Sequence, residues 1–296
     1  MTAPLAPSKL GWLRWLLATP PCRILLLGLV FLVMMGMNTD VMTSYAAQPV
    51  KAAAHIIALC IAGFAIYIAY SHFIEQRQTS ELGVSGLGRE LGIGLLVGVG
   101  LYTICELALM ALGIYRITGL NSWNYMLPAV AMALSSSVFE ELLFRGALFL
   151  SLERWLGSWI ALVVSALVFG LTHLTNPAAT LEGALFIAVE AGILLAAAVM
   201  LTRRLWLSIG FHLAWNYTQS AIFSGIVSGN APQQGLIRST MQGPNWLTGG
   251  QFGVESSILA LTVCTATGII LLRMAVKRGK IIPPCWQRQA STAASA

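Results

Sequence analysis

Long apolar runs, broken at short intervals by Arg, Lys, Gly and Pro, set the rhythm of the chain. A hydrocarbon core about 30 Å thick takes roughly 20 apolar residues per helical crossing. On that measure eight segments are predicted to span a membrane: 24–38, 53–72, 91–115, 126–151, 158–175, 181–201, 205–224 and 254–274. The first is short and borrows length from Met37 and its neighbours. Ahead of it, residues 9–20 carry Trp12, Trp15, Leu16 and Leu17 and predict an interfacial amphipathic helix that stops at Pro20-Pro21. The chain therefore reads as all-α, a polytopic membrane bundle of about eight helices. Its predicted divisions are an interfacial segment 1–23, N-terminal spans 24–124, a core 125–225 that holds the polar motifs, a loop 226–253, a last span 254–274 and a basic tail 275–296. The loop is rich in Gly, Ser, Gln and Pro, and the tail is predicted to be disordered from Ile281. No internal repeat is visible.

Composition agrees: 57% of the 296 residues are hydrophobic and 9% are charged, where a soluble domain carries about 25% charged residues. The five cysteines, Cys22, Cys60, Cys105, Cys264 and Cys285, are scattered and form no C-x-x-C pair, so neither a disulfide framework nor a thiolate metal site is indicated. The net charge of +6 raises nucleic acid as a partner, but the placement of the basic residues gives another reason for it. With the N-terminus in the cytoplasm, 13 of the 17 Lys and Arg residues fall in cytoplasmic segments. Only 3, Lys51, Arg116 and Arg238, fall opposite, and Arg145 lies within a span. That asymmetry is the positive-inside signal for eight spans with both termini cytoplasmic, and no nucleic acid is needed to explain it. No organelle signal is visible, so the expected location is a bacterial plasma membrane. A rival reading takes residues 1–46 as a cleaved signal ending at Ser44-Tyr45-Ala46; its charged leader is too long for that class.

Ionisable residues inside a span cost at least about 2.5 kcal/mol each and mark function by default. Span four carries Glu140, Glu141 and Arg145; span five ends in Phe169 and His173; span seven carries His212 and Asn216. Glu141 and Arg145 stand at i, i+4, in the order that favours an ion pair. Glu140 projects about 100° away on an α-helix and lacks that partner. His212 and Asn216 share a face by the same spacing, as do Phe169 and His173. A carboxylate and an imidazole facing one water can activate it, and a second His with an Asn offers donors to an oxyanion. Ser135, Ser136 and Ser137 precede Glu140 without a nucleophile motif and are expected to let helices approach closely. Glu140, His173 and His212 also have the donor types of a zinc site with an open position, and the sequence leaves zinc and a metal-free glutamate mechanism both open. Glu106 and Glu190 are expected to pair with neighbouring helices, and Glu255 has no assigned role.

Glu-Glu-x-x-x-Arg at 140–145, Phe-x-x-x-His at 169–173 and His-x-x-x-Asn at 212–216, in that order on successive apolar helices, resemble the CPBP family. That family contains CAAX prenyl endopeptidases and Abi-type bacterial intramembrane peptidases. The resemblance implies an eight-helix fold with a membrane-embedded cavity, and an endopeptidase acting on a membrane-associated, lipid-adjacent peptide or protein. Carried over to these positions, it implies that Glu140 and His173 activate water, that His212 and Asn216 stabilise the oxyanion, and that Glu141 and Arg145 support the site. Two other functions compete. A proton-coupled transporter also uses intramembrane Glu and His, but predicts inverted repeats or matched broken helices. A non-catalytic immunity or scaffold protein would keep the motifs for structure alone.

Overall fold

A computed structural model describes residues 9–288; positions 1–8 of the predicted N-terminal segment and 289–296 of the basic tail lie outside the described residues. Nine helices carry the fold among the described residues. They are α1 (Lys9–Leu17), α2 (Pro20–Ser44), α3 (Pro49–Ile74), α4 (Val84–Ala111), α5 (Trp123–Leu156), α6 (Ser158–Thr175), α7 (Leu181–Thr202), α8 (Trp206–Tyr217, continued as a π-helical run over Thr218–Ile222) and α9 (Ile258–Lys277). Seven of them, α2 to α7 and α9, are long and apolar enough to cross a membrane. The remaining predicted span, α8, is slightly shorter and is mostly buried among the others.

Several boundaries differ from the sequence reading, each for a local reason. Pro20 and Pro21 open α2 instead of ending α1, because a proline loses nothing at a first helical position whose N–H has no intrahelical acceptor. The first span is therefore 25 residues long and not short. Span three ends at Ala111, since Tyr115–Leu120 leaves the helix to pair antiparallel with Ile237–Met241 from the predicted loop. This two-stranded sheet, bulged between Ile117 and Gly119, is an addition to an otherwise helical fold. The last span starts at Ile258, where the Ser257 side chain accepts a hydrogen bond from Ala260 N–H, an N-cap. Span four is the most altered. From Glu141 to Phe149 it is π-helical, closed by i→i+5 hydrogen bonds, a rare geometry that recurs at functional sites.

Hydrogen bonds sort the connections into two faces. On one, Tyr70 donates to Leu17 O, Arg154 to Glu75, Arg203 to Glu153 and Trp206 to Gly83 O. Ile282 exchanges bonds with Ser158 on the same face, so the tail predicted to be disordered from Ile281 is docked as far as residue 288. On the other face the sheet, Asn121 N–H to Leu236 O and Ala178 N–H to Gly229 O join the remaining connections. A buried network closes the first face. Arg23, 1% exposed, donates to Ser151 and Tyr67, and Tyr67 in turn donates to Glu81. Burial works to raise the Glu81 carboxyl, but the two hydrogen bonds and the charge of Arg77 outweigh it and hold Glu81 below the ordinary carboxylate range. α2 is thus tied into the bundle at Arg23.

Glycines set the position of α8. A Cβ on Gly98 would lie 2.5 Å from Phe211 O, and one on Gly210 would lie 2.5 Å from Leu91 O. Small residues at such crossings let helix backbones approach closely in a membrane. Gly98→Val is accordingly expected to lower stability by about 1–3 kcal/mol, the usual cost of overpacking. Gly100→Val, with nothing within 4 Å of its Cβ position, is the control. Thermal melts of both variants in detergent check this; equal melting temperatures would contradict it.

Candidate active site

Glu140 closes the α-helical part of α5, and its side chain is 14% exposed. Its Oε2 is buried without a hydrogen-bond partner and lies 3.9 Å from His212 Nε2 on α8. Two polar atoms at that separation can both reach a single bridging water. The other ring nitrogen, His212 Nδ1, lies 3.2 Å from Glu141 Oε1. An ionised carboxylate only accepts, so it holds the proton on Nδ1 and fixes the ring with Nε2 toward Glu140.

Glu141 is therefore shared. Besides His212 it accepts from Arg145 Nη1 at 2.8 Å, the i, i+4 pair that the spacing predicts. Arg145, 1% exposed, also donates to Ala191 O, and its guanidinium lies 4.1 Å from the centre of the Phe169 ring. Phe169 makes edge contacts with His173, His212 and Phe144, at ring-centre distances of 5.0, 6.2 and 5.1 Å. One phenyl ring thus positions groups from three helices. The second partner of Glu141 was not read from the sequence, because it depends on the tertiary approach of α8 to the π-helical run.

His173 sits where α6 tightens into its last turn, and its Nδ1 donates to Phe169 O at 2.8 Å. A carbonyl only accepts, so Nε2 is left as the available nitrogen. Asn216 donates from Nδ2 to Ser136 Oγ at 2.9 Å, and that hydroxyl is held in turn by Met132 O and Ala133 O. Ser136 is thus an anchor for Asn216, a role beyond the close helix approach expected of residues 135–137. One Asn216 N–H remains for the cavity.

Glu140, His173, His212 and Asn216 line one cavity of about 580 Å³, together with Ser136 and Ser228. Glu141 and Arg145 do not line it. Glu255 stands behind it, accepting from Trp215 Nε1 at 3.1 Å and from Ser228 N–H and Oγ at 2.6 and 2.8 Å. That clamp was not read from the sequence: Glu255 fell at the start of the predicted last span, and its partners Trp215 and Ser228 are 40 and 27 residues away in the chain. The acids expected to pair across helices do otherwise. Glu106 accepts from Tyr102 on its own helix at 2.9 Å, and Glu190 Oε2 is buried with no partner among the described residues. Among the described residues no three His, Cys, Asp or Glu side chains are grouped to hold a metal ion, Glu140, His173 and His212 included.

Residues 122–218 match the family model described as type II CAAX prenyl endopeptidase Rce1-like. The matched segment contains Glu140, Glu141, Arg145, His173, His212 and Asn216, and covers α5 to α7 with most of α8. No curated protein and no solved structure matches the chain. Seven helices fit to cross a membrane make it a multi-pass integral membrane protein. Over residues 122–218, about a third of its length, the chain is similar to the CAAX-endopeptidase type of intramembrane peptidase.

Proposed function

We propose that the chain hydrolyses a peptide bond of a membrane-associated peptide with water activated by Glu140. The observation that carries this reading is the Glu140 carboxylate itself. It lines the cavity, its Oε2 is unpartnered, and it faces an imidazole whose other nitrogen is held by a second carboxylate. Such an arrangement, a base beside a group oriented by a third, is the general logic of catalytic constellations. Glu140 takes a proton from water as the oxygen adds to the carbonyl carbon. His173, on the cavity wall with Nε2 available, assists that transfer and the return of a proton to the leaving amine as the C–N bond breaks. His212, as an imidazolium between Glu140 and Glu141 with an N–H on each ring nitrogen, and Asn216 face the developing oxyanion, with Asn216 supplying an N–H held in place by Ser136. Glu141 and Arg145 position His212 and stay out of the cavity.

A carrier reading finds less support. A carrier needs access to its site from both faces, whereas the residues lining this cavity belong to one end of the bundle. The family description speaks of prenylated substrates; nothing in the cavity singles out a prenyl group, and the proposed substrate is the broader class of membrane-anchored peptide.

The test is cleavage of a membrane-peptide library by purified protein in water enriched in ¹⁸O. Each product is expected to carry one solvent oxygen in its new carboxylate, with a rate that survives chelator treatment and does not track metal content. Cleavage that disappears with the metal and returns with zinc would overturn the glutamate-only mechanism. No cleavage anywhere in the library would overturn the peptidase reading.

A further inference from the structure

The face from which the site is reached follows from two independent distributions, of charge and of cavity walls. The connections around residues 17–23, 75–83, 151–158, 203–206 and 278–288 are joined by hydrogen bonds at one end of the bundle. That end holds most of the 17 basic residues, whereas Lys51, Arg116 and Arg238 lie at the other. The basic end is cytoplasmic by the positive-inside rule.

The rim of the 580 Å³ cavity is made at the opposite end, by Thr39 and Thr43 of α2, Asn176 after α6, and Ser228, Asn230 and Gln233 after α8. Its floor is Glu140, Leu143, Phe144 and His212. No residue of the connections 75–83 or 203–205 lines it. Below the floor the bundle is closed by Phe139 and Leu142, both 0% exposed, and by Tyr67 packed against Gly146 and bonded to Arg23.

Resting on the peptidase reading above, we infer that the active site takes its substrate from the non-cytoplasmic side of the membrane. The substrate class is a membrane-anchored peptide or protein whose scissile bond lies in the segment just outside the bilayer on that side. The chemistry of the rim fits an extended peptide. Among the described residues it offers hydroxyls and amides and no Lys, Arg or Asp, and the one carboxylate in the lining is Glu140. Such groups hydrogen-bond to backbone without selecting an anionic headgroup. One wall is apolar: Leu32, Met35 and Met42 come from α2, and Leu32 is 57% exposed on the lipid side of the bundle. A hydrophobic anchor can stay in lipid along α2 while the peptide next to it crosses the rim to Glu140.

Two experiments on the full chain test this. In intact cells, a membrane-impermeant sulfonated maleimide is expected to label Asn230→Cys and Thr43→Cys, both exposed positions. Native Cys285, in the docked tail on the opposite face, is expected to react only after permeabilisation. Labelling of the two rim variants only after permeabilisation would overturn the inference. The second experiment uses reporters with one transmembrane helix and the peptide best cleaved by the purified protein, placed on either flank. Cleavage is expected on the non-cytoplasmic flank, with loss of cleavage when the peptide is moved to the cytoplasmic flank; the reverse pattern overturns the inference. Cleavage of neither reporter counts against the peptidase reading, and the labelling then decides the face by itself.

Discussion

Glu140→Gln is expected to abolish measurable peptide cleavage while the bundle melts at the wild-type temperature. A positioned general base contributes about 10²–10⁴-fold to rate, and an amide of the same shape has no basic lone pair to offer at neutral pH. The structural half of the prediction rests on what Glu140 does not do. Its Oε2 makes no hydrogen bond among the described residues, and His212, 3.9 Å away, is already held by Glu141. Removing the Glu140 charge therefore strands no hydrogen-bond partner among the described residues, and little loss of stability is expected. Glu141→Gln makes the informative contrast. It weakens the acceptor for both Arg145 and His212, so it should lower the melting temperature as well as the rate. Reporter cleavage and thermal melts on the two variants measure both effects. Glu140→Gln retaining activity within a few-fold of wild type would remove Glu140 from the role of base.

This contrast also shows how far the sequence could be read. The spans were legible because lipid forces a simple requirement, a stretch of apolar residues long enough to cross, and each observed long helix overlaps a predicted one. Their ends were less legible. Pro20-Pro21 is equally able to end one helix and to open the next, and the choice depends on Arg23 finding Tyr67 and Ser151 in the bundle. The sheet and the docked tail are held by backbone hydrogen bonds between distant segments, such as Ser158 N–H to Ile282 O, which leave no pattern in residue type. At the site, residue type and spacing pointed to Glu140, His173, His212 and Asn216, which line one cavity. The partners that orient them were not visible. Ser136 reads as a small residue in an apolar helix, and its bond to Asn216 exists only once α8 crosses α5. The double duty of Glu141 needs the same crossing, with the π-helical run bringing its carboxylate within reach of both His212 and Arg145.

Arg145→Met should be the most destabilising single change at the site, even though Arg145 lines no cavity. Arg145 is 1% exposed and compensates a carboxylate that is 0% exposed. Breaking a buried pair by removing one partner typically costs about 3–5 kcal/mol, because the remaining charge stays buried without compensation. Two further losses accompany it: the bond to Ala191 O on α7 and the cation–π contact with Phe169, itself worth about 2 kcal/mol when desolvated. Arg145→Lys should recover only part of this, since an ammonium has neither the planar face nor the fork that reach Phe169, Glu141 and α7 together. The decisive variant is the pair Glu141→Leu with Arg145→Met. Replacing a buried ion pair by apolar residues of similar volume is often neutral for stability, so the double variant should melt closer to wild type than Arg145→Met alone. Its activity should not return, because no carboxylate then holds His212 Nδ1 and the ring is free to turn Nε2 away from Glu140. Melting restored together with full cleavage would mean that Glu141 serves the fold alone. Melting restored without cleavage would identify the ion pair as the device that ties the packing of α5, α6 and α7 to the orientation of the imidazole.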